Sequence, residues 1–356
     1  MKIVQISPYF PPHVGGVEYH VKELAEGLCR RGHQVSVASS CGRRSRDFDF
    51  ISIPSVDLFY SPIPLRLPSL QADIYHSHIP SPLFAYLLRG ARPQVVTYHN
   101  DVVVPRDVNG FALPGPLAGT LERIASRMVE PILEEAQAIV ATTKSYAETS
   151  PTLRRHLDKV RIVPNAVNLS LYPRVEEKGR YVLYAGRILN YKGVGNLLYA
   201  MKEVQQSAPD LELVLVGEGY DRPRLERTAA ALGVRAKFTG RLERSMFIDT
   251  ISRAEVLVLP TQSRLEAFGI VLLEAMACKT PVLAFDTPGV NEVARCGGMV
   301  FSSRKELRDR ILQMHEDEPL RKLLGERGRR AVEERYSWSC ALDMMESVYR
   351  DAAERN

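Results

Sequence analysis

Short apolar, β-branched runs alternate with longer amphipathic stretches along nearly the whole chain, and the series of runs starts twice. In the first half, runs at residues 2–6, 34–38, 73–76, 94–98, 138–142 and 160–163 read as strands. Helical periodicity at about 16–31, 81–89, 116–135 and 145–156 lies between them. In the second half, strands are expected at 181–185, 211–216, 237–239, 256–259, 281–284 and 299–301, again separated by helices. Alternation of this kind implies parallel strands joined by right-handed crossovers. The stretch Leu213-Val214-Leu215-Val216 is apolar at every position, as suits a strand covered on both faces. The expected fold class is α/β, with two doubly wound sheets.

The two series meet at residues 164–174, a stretch with prolines 164 and 173, turn formers and little periodicity, followed by the charged run 176–180. The expected domains are therefore 1–164 and 165–337. A last amphipathic stretch within 338–356 is expected to cross back onto the first. A chain of 356 residues is longer than one core usually supports, which agrees with two domains. Two open sheets facing each other would set the carboxyl ends of their strands around a central cleft, where ligands of doubly wound folds bind.

Composition excludes several classes. With 45% hydrophobic and 25% charged residues the chain is globular rather than disordered. The net charge of +5 is spread thinly: residues 1–164 carry 18 Lys/Arg against 15 Asp/Glu, the remainder 29 against 27. Nucleic acid is not an expected partner. The amino terminus reads as a strand rather than a signal peptide, and no apolar run approaches the ~20 residues that span a bilayer. Five widely spaced cysteines fit reduced thiols and a cytoplasmic location. The proline-rich stretch 53–70 is expected to be a long loop exposing Phe59, Tyr60, Ile63, Leu65 and Leu67, with Arg43, Arg44, Arg46 and Arg66 nearby in sequence. That combination suits reversible docking on an anionic membrane surface.

Some residues suggest chemistry directly. Gly269 opens an apolar helix that carries Glu274, a carboxylate that needs a strong donor if buried; ribose hydroxyls would serve. Glu266 falls just before that helix, where the dipole favours a charge-dense ligand. Arg187 ends a strand and Lys192 opens the next helix, so a guanidinium fork and an ammonium point charge sit where a diphosphate can be held. Gly15 and Gly16 stand at a loop-to-helix junction open to close phosphate approach. His99 follows a strand at its carboxyl end. Gly217 and the Gly240-Arg241-Leu242 turn end two further strands.

Two patterns suggest a metal but are set aside. Asp47-Phe48-Asp49 lies in an arginine-rich loop away from any expected strand end, so a solvated charge cluster is expected. His76 and His78 are expected on opposite faces of their strand, with no Cys or third His at ligand spacing.

The segment SRLEAFGIVLLEAMA, with Glu266 and Glu274 eight positions apart, resembles the signature of retaining GT-B glycosyltransferases of family four. SPYFPPHVGGVEYHVKELAEGLCRRGHQV, DIYHSH, VVTYHND, IVPNAVN, YAGRILNYKG, LVLVGEGYDRPRLE and PVLAFDTPGVNEV follow the family's order, so the resemblance covers roughly residues 1–340. It implies a GT-B fold with two Rossmann-like domains, acceptor side first and nucleotide-sugar donor side second. By resemblance Arg187 and Lys192 hold the donor diphosphate and His99 contacts the donor sugar. Glu266 completes the catalytic set. Gly15, Gly16, Gly217, Arg241, Leu242, Ala267, Phe268, Gly269 and Glu274 line the donor, with Arg241 and Leu242 beside the base.

The implied activity is retaining transfer of a hexose-type sugar from a UDP- or GDP-sugar to a glycan or lipid-linked acceptor, with no metal and no other cofactor. A nucleotide-sugar epimerase of the same shape, or a non-catalytic nucleotide-sugar-binding protein, would share these residues. The sequence departs from the family at Lys279, where glycine is usual, and in a short loop at 295–298.

Overall fold

The computed structural model describes residues 1–13, 15–42, 45–58, 61–66, 70–79, 82–104, 107–108, 111–112, 114–172 and 177–355, with the backbone alone at 57–58, 61, 107–108 and 111–112. The chain divides into two compact units. The first comprises Met1–Val104, Pro116–Asn165 and the segment from Trp338 onward; the second is built mainly on Ala166–Ser337.

The first unit holds a seven-stranded parallel sheet. Its strands are β1 (Lys2–Ile6), β2 (Gln34–Ser39), β3 (Asp49–Ser52), β4 (Ile74–Ile79), β5 (Gln94–Tyr98), β6 (Ala138–Ala141) and β7 (Val160–Ile162). They lie in the order β7-β6-β5-β4-β1-β2-β3, so the direction of winding reverses between β1 and β4. Helix α1 (Gly16–Arg30) follows β1, and helix α2 (Gly115–Glu135) precedes β6. The C-terminal helix, Trp338–Glu354, packs on α1 so closely that a Cβ at Gly27 would lie 2.7 Å from Leu342. Arg31 and His33 both bind Glu346 on that helix, at 3.1 and 2.9 Å.

The second unit repeats the plan with six parallel strands: β8 (Tyr181–Ala185), β9 (Glu212–Val216), β10 (Ala236–Gly240), β11 (Val256–Leu259), β12 (Val282–Phe285) and β13 (Gly298–Phe301). Their order is β10-β9-β8-β11-β12-β13, with the reversal between β8 and β11. Alternate residues feed two cores, one on each face. Leu183, Val214 and Leu257 enter the first, while Val182, Leu213 and Val256 enter the second. That explains why Leu213–Val216 and Val256–Leu259 are apolar at every position. Helix α3 (Val194–Ser207) follows β8, and the short apolar helix α4 (Ile270–Ala277) follows β11. Among the described residues no helix is long and apolar enough to cross a membrane. The five cysteines are free thiols.

Some expectations need correction. Residues 53–70 are not a plain loop: Ser55–Leu58 pairs antiparallel with Ser61–Pro64, and Ile53 is fully buried. Proline is tolerated there because the ribbon is an isolated two-stranded edge. Phe59, Tyr60 and Leu67, like Arg43 and Arg44, lie outside the described residues. The Asp47–Phe48–Asp49 stretch does meet a strand, since Asp49 begins edge strand β3, and Phe48 is buried. The helix expected at 145–156 breaks into Lys144–Thr149 and a short turn at Leu153–Arg155, because Pro151 removes a backbone donor between them. At the position where the family carries glycine, Lys279 adopts φ 57°, the one non-glycine residue with positive φ among the described residues. Residues 295–298 form no loop: helix Val290–Gly297 runs straight into β13.

Candidate active site

Within the second unit, the expected donor residues collect where the winding reverses. Strand β8 ends at Ala185, Gly186 turns the chain, and Arg187 is exposed, its guanidinium without an ion-pair partner among the described residues. A short turn, Asn190–Lys192, then leads through Gly193 into α3. Gly193 has φ 74°, and a Cβ there would lie 2.3 Å from the Pro260 carbonyl oxygen, so only glycine lets this turn press against the end of β11. The contact carries Lys192 to the loop after β11, where its ammonium donates to the Glu266 carboxylate. Both side chains are largely buried. Burial alone would lower the Lys192 pKa, but the Glu266 carboxylate, with Tyr191 nearby, holds it above the usual lysine value. The ammonium therefore remains charged.

The neighbouring strand ends knit onto this turn. Gly186 N–H donates to Val216 O at 3.0 Å, Ile188 N–H to Glu218 O at 2.8 Å, and Gly217 N–H to Gly240 O at 2.9 Å. A Cβ at Gly217 would lie 1.9 Å from the Gly186 carbonyl oxygen, so this glycine serves the close approach of two backbones. Arg241 is exposed just beyond Gly240, and Leu242 packs partly on the core. Ala267 and Phe268 are buried, Phe268 edge-on to Tyr336, which leaves their backbone as the part able to meet a ligand. Gly269 enters α4 with φ 77°.

Glu274 does not join the Lys192–Glu266 pair. Its carboxylate accepts Arg244 Nη1–H at 2.7 Å and the Tyr172 hydroxyl at 2.9 Å, and Arg244 also donates to Tyr172. The donor that a carboxylate in an apolar helix requires is thus supplied by the chain itself. Sequence reading missed both partners, since Tyr172 sits in the boundary stretch and Arg244 opens an unremarked helix, Arg244–Arg253.

The first unit carries the remaining candidates. Gly15 is the extended residue before α1 and Gly16 its first residue. Glu18, in the first turn, bonds His13 Nδ1 at 2.8 Å, so the dipole at this helix end already faces a carboxylate. His99 N–H donates to Ile79 O at 3.1 Å, which fixes the residue at the carboxyl end of β5. The imidazole is buried and its Nε2 lies 3.1 Å from His78 Nδ1. Burial, reinforced by the neighbouring histidines, holds the His99 pKa well below the usual value, so the ring is neutral at physiological pH.

The strand histidines correct two expectations. Residues two apart on a strand share a face, and the His76 and His78 ring centroids are 4.3 Å apart. A third and fourth histidine do accompany them: His20 from α1 and His99 from the β5 loop close on His78. Linear spacing hides this because the four come from three separate elements. Asp101, given no role from sequence, is buried and accepts the Ser150 and Tyr98 hydroxyls, a structural part.

Two Rossmann-like units in one chain, each with a parallel sheet that reverses its winding, are the architecture of the GT-B fold. Sucrose-phosphate synthase from Thermosynechococcus elongatus matches the fold with a TM-score of 0.78 at 22% identity over 100% of both chains. Anabaena HepE, solved in complex with UDP-glucose, matches with a TM-score of 0.74 at 16% identity over 98% of this chain and 100% of its own. The chain belongs to glycosyltransferase family four: the model described as Glycosyltransferase Family 4 matches residues 14–171, and that for Glycosyl transferases group 1 matches residues 173–331. Among its relatives, the phosphatidyl-myo-inositol mannosyltransferase of Mycobacterium tuberculosis is 29% identical over 381 residues, 99% of this chain and 97% of that one. The O-antigen chain mannosyltransferase C of Escherichia coli is 24% identical over 386 residues, 99% of each. The protein is a glycosyltransferase acting in glycan or glycolipid synthesis.

Proposed function

We propose that the chain transfers a hexose-type sugar, with retention and without a metal, from a UDP- or GDP-sugar to a glycan or lipid-linked acceptor. The observation that carries this reading is the buried Lys192 ammonium at the β8/β11 reversal, with exposed Arg187 five residues earlier. A donor diphosphate would take the position these cations address. Catalysis would then be chiefly electrostatic: Arg187 and Lys192 stabilise charge growing on the leaving diphosphate, and removing one such donor typically costs roughly 3 kcal/mol. Glu266 holds Lys192 in place and balances its charge until the donor arrives. The neutral His99 offers a hydrogen bond to the sugar without competing for the diphosphate. Front-face attack, with the acceptor proton passing to the departing phosphate, requires no dedicated base.

The acceptor reading draws on the named relative that mannosylates phosphatidyl-myo-inositol. It draws also on the surface of the first unit. Val56 is 52% exposed and Leu65 67% on the 53–70 ribbon, although Ile63 is half-buried. Leu117, Leu121 and Ile124 form an exposed apolar ridge on α2, with Arg123 and Arg127 also exposed. These patches suit peripheral docking of a cytoplasmic enzyme on the anionic inner face of a membrane. Transfer assays in excess chelator, with UDP- and GDP-sugars and product anomers read by NMR, test the chemistry. Loss of turnover that Mg²⁺ or Mn²⁺ restores would end the metal-free reading. Co-sedimentation with anionic vesicles at low salt tests docking; no binding, with full activity on a water-soluble acceptor, would remove the membrane.

A further inference from the structure

Three histidines of the first unit meet at its own winding reversal and come from separate elements: His20 from α1, His78 from β4 and His99 from the loop after β5. All three are buried, and one donor nitrogen from each lies within 4.8 Å of the others. His78 Nδ1 and His99 Nε2 are 3.1 Å apart. Around a tetrahedral zinc ion at ~2.0–2.1 Å from each nitrogen, ligand nitrogens sit about 3.3 Å apart and the rings radiate with centroids about 5 Å apart. The observed centroid separations are 5.1 Å for His20–His99, 5.3 Å for His78–His99 and 5.9 Å for His20–His78.

The hydrogen bonds favour the same arrangement. His78 Nε2 lies 3.3 Å from Gln5 Oε1. A bond donated there leaves His78 Nδ1 bare toward His99, as an orienting partner does for a metal-bound imidazole. His20 is 3% exposed, and neither ring nitrogen makes a well-aligned hydrogen bond among the described residues, the Asn165 side chain being the polar group within reach. Asn165 borders the ring, and its Oδ1 is also unpaired. A small turn of that carboxamide would satisfy one nitrogen of His20 and leave the other for a ligand bond. His76 is excluded, because its nitrogens are taken by Tyr349 at 2.8 Å and Thr97 at 2.7 Å. Burial keeps the three imidazoles neutral, with their lone pairs free, at physiological pH.

We propose that His20, His78 and His99 form a site for a first-row divalent ion of the zinc type, and that an ion bound there inhibits transfer by holding His99 through Nε2 and so fixing the ring proton on Nδ1, the nitrogen left for the donor sugar. Three neutral imidazoles suit zinc, cobalt, nickel or copper(II) and do not suit magnesium or calcium. A fourth coordination position is left for water. With no carboxylate among the described members of the cluster to balance a buried dication, binding is expected to be reversible and removable by chelators. The inhibition clause rests on the proposed role of His99; the binding clause does not.

The test begins with chelator-stripped protein titrated with Co²⁺ and with Zn²⁺, using elemental analysis for stoichiometry and the visible absorption of four-coordinate cobalt for geometry. One equivalent should bind, with intense d–d bands. His20→Gln and His78→Gln, each checked for folding by circular dichroism, should weaken binding at least tenfold. Absence of binding by wild type overturns the proposal, as does one equivalent held equally by both variants. Transfer by wild type should fall as zinc is added and return with chelator. Undiminished transfer by zinc-loaded enzyme overturns the inhibition clause. Inactivity in chelator at every zinc level is the separate failure of the glycosyltransfer reading.

Discussion

Lys192 and Glu266 stand 74 positions apart in the chain, and each reads as a single charge in its own motif. Their pairing becomes visible only when Gly193 presses its turn against Pro260. The cations stood out in the sequence because each falls at a strand end, where the proposed diphosphate would need them. The fixed partners did not, since a hydrogen bond between distant loops leaves no local pattern. Arg187→Ala and Lys192→Ala should each reduce transfer about a hundredfold with the fold retained, measured as kcat/KM beside a thermal melt. Near-normal turnover in both would remove them from the diphosphate. Lys279 supplies an independent check at this scale. Its left-handed backbone costs a residue with a Cβ about 1 kcal/mol, and its partner Glu326 is exposed, which weakens the pair. Lys279→Gly should therefore gain about 0.5–1 kcal/mol in denaturant unfolding with transfer unchanged. A loss of stability would mean that the Glu326 pair outweighs the backbone strain.

Among the elements, strands buried on both faces were the most legible, because their apolar runs have no other explanation. Edge strand β3, with sequence Asp-Phe-Ile-Ser, and the proline-containing ribbon at Ser55–Pro64 escaped notice because edges need little apolar content. The histidine cluster was misread for another reason. Strand periodicity puts His76 and His78 on one face, and helix α1 delivers His20 to His78 from 58 positions away in sequence. The C-terminal helix offers a test of element packing. Burial would raise the Glu346 carboxyl, but His33 and Arg31 hold its pKa below the usual value. A depressed carboxyl contributes stability that is fully present above its unfolded pKa and is lost as pH falls through the folded one. Glu346→Gln should thus cost about 1 kcal/mol at neutral pH and nothing well below the carboxylate range, in denaturant melts across pH. A pH-independent difference would indicate packing rather than charge.

At the scale of the whole molecule, each unit has its own parallel sheet, and each sheet reverses its winding beside a group of candidate site residues. The division of labour proposed here puts the nucleotide on the second unit, through Lys192 and Arg187, and a neutral histidine on the first. Calorimetric titration of UDP and GDP, in excess chelator, into wild type and Lys192→Ala addresses that claim most directly. One of the two nucleotides should bind wild type with no divalent ion present, and Lys192→Ala should weaken it at least tenfold while melting normally. Equal affinity for both proteins, or binding that appears only when Mg²⁺ or Mn²⁺ is added, would contradict the account.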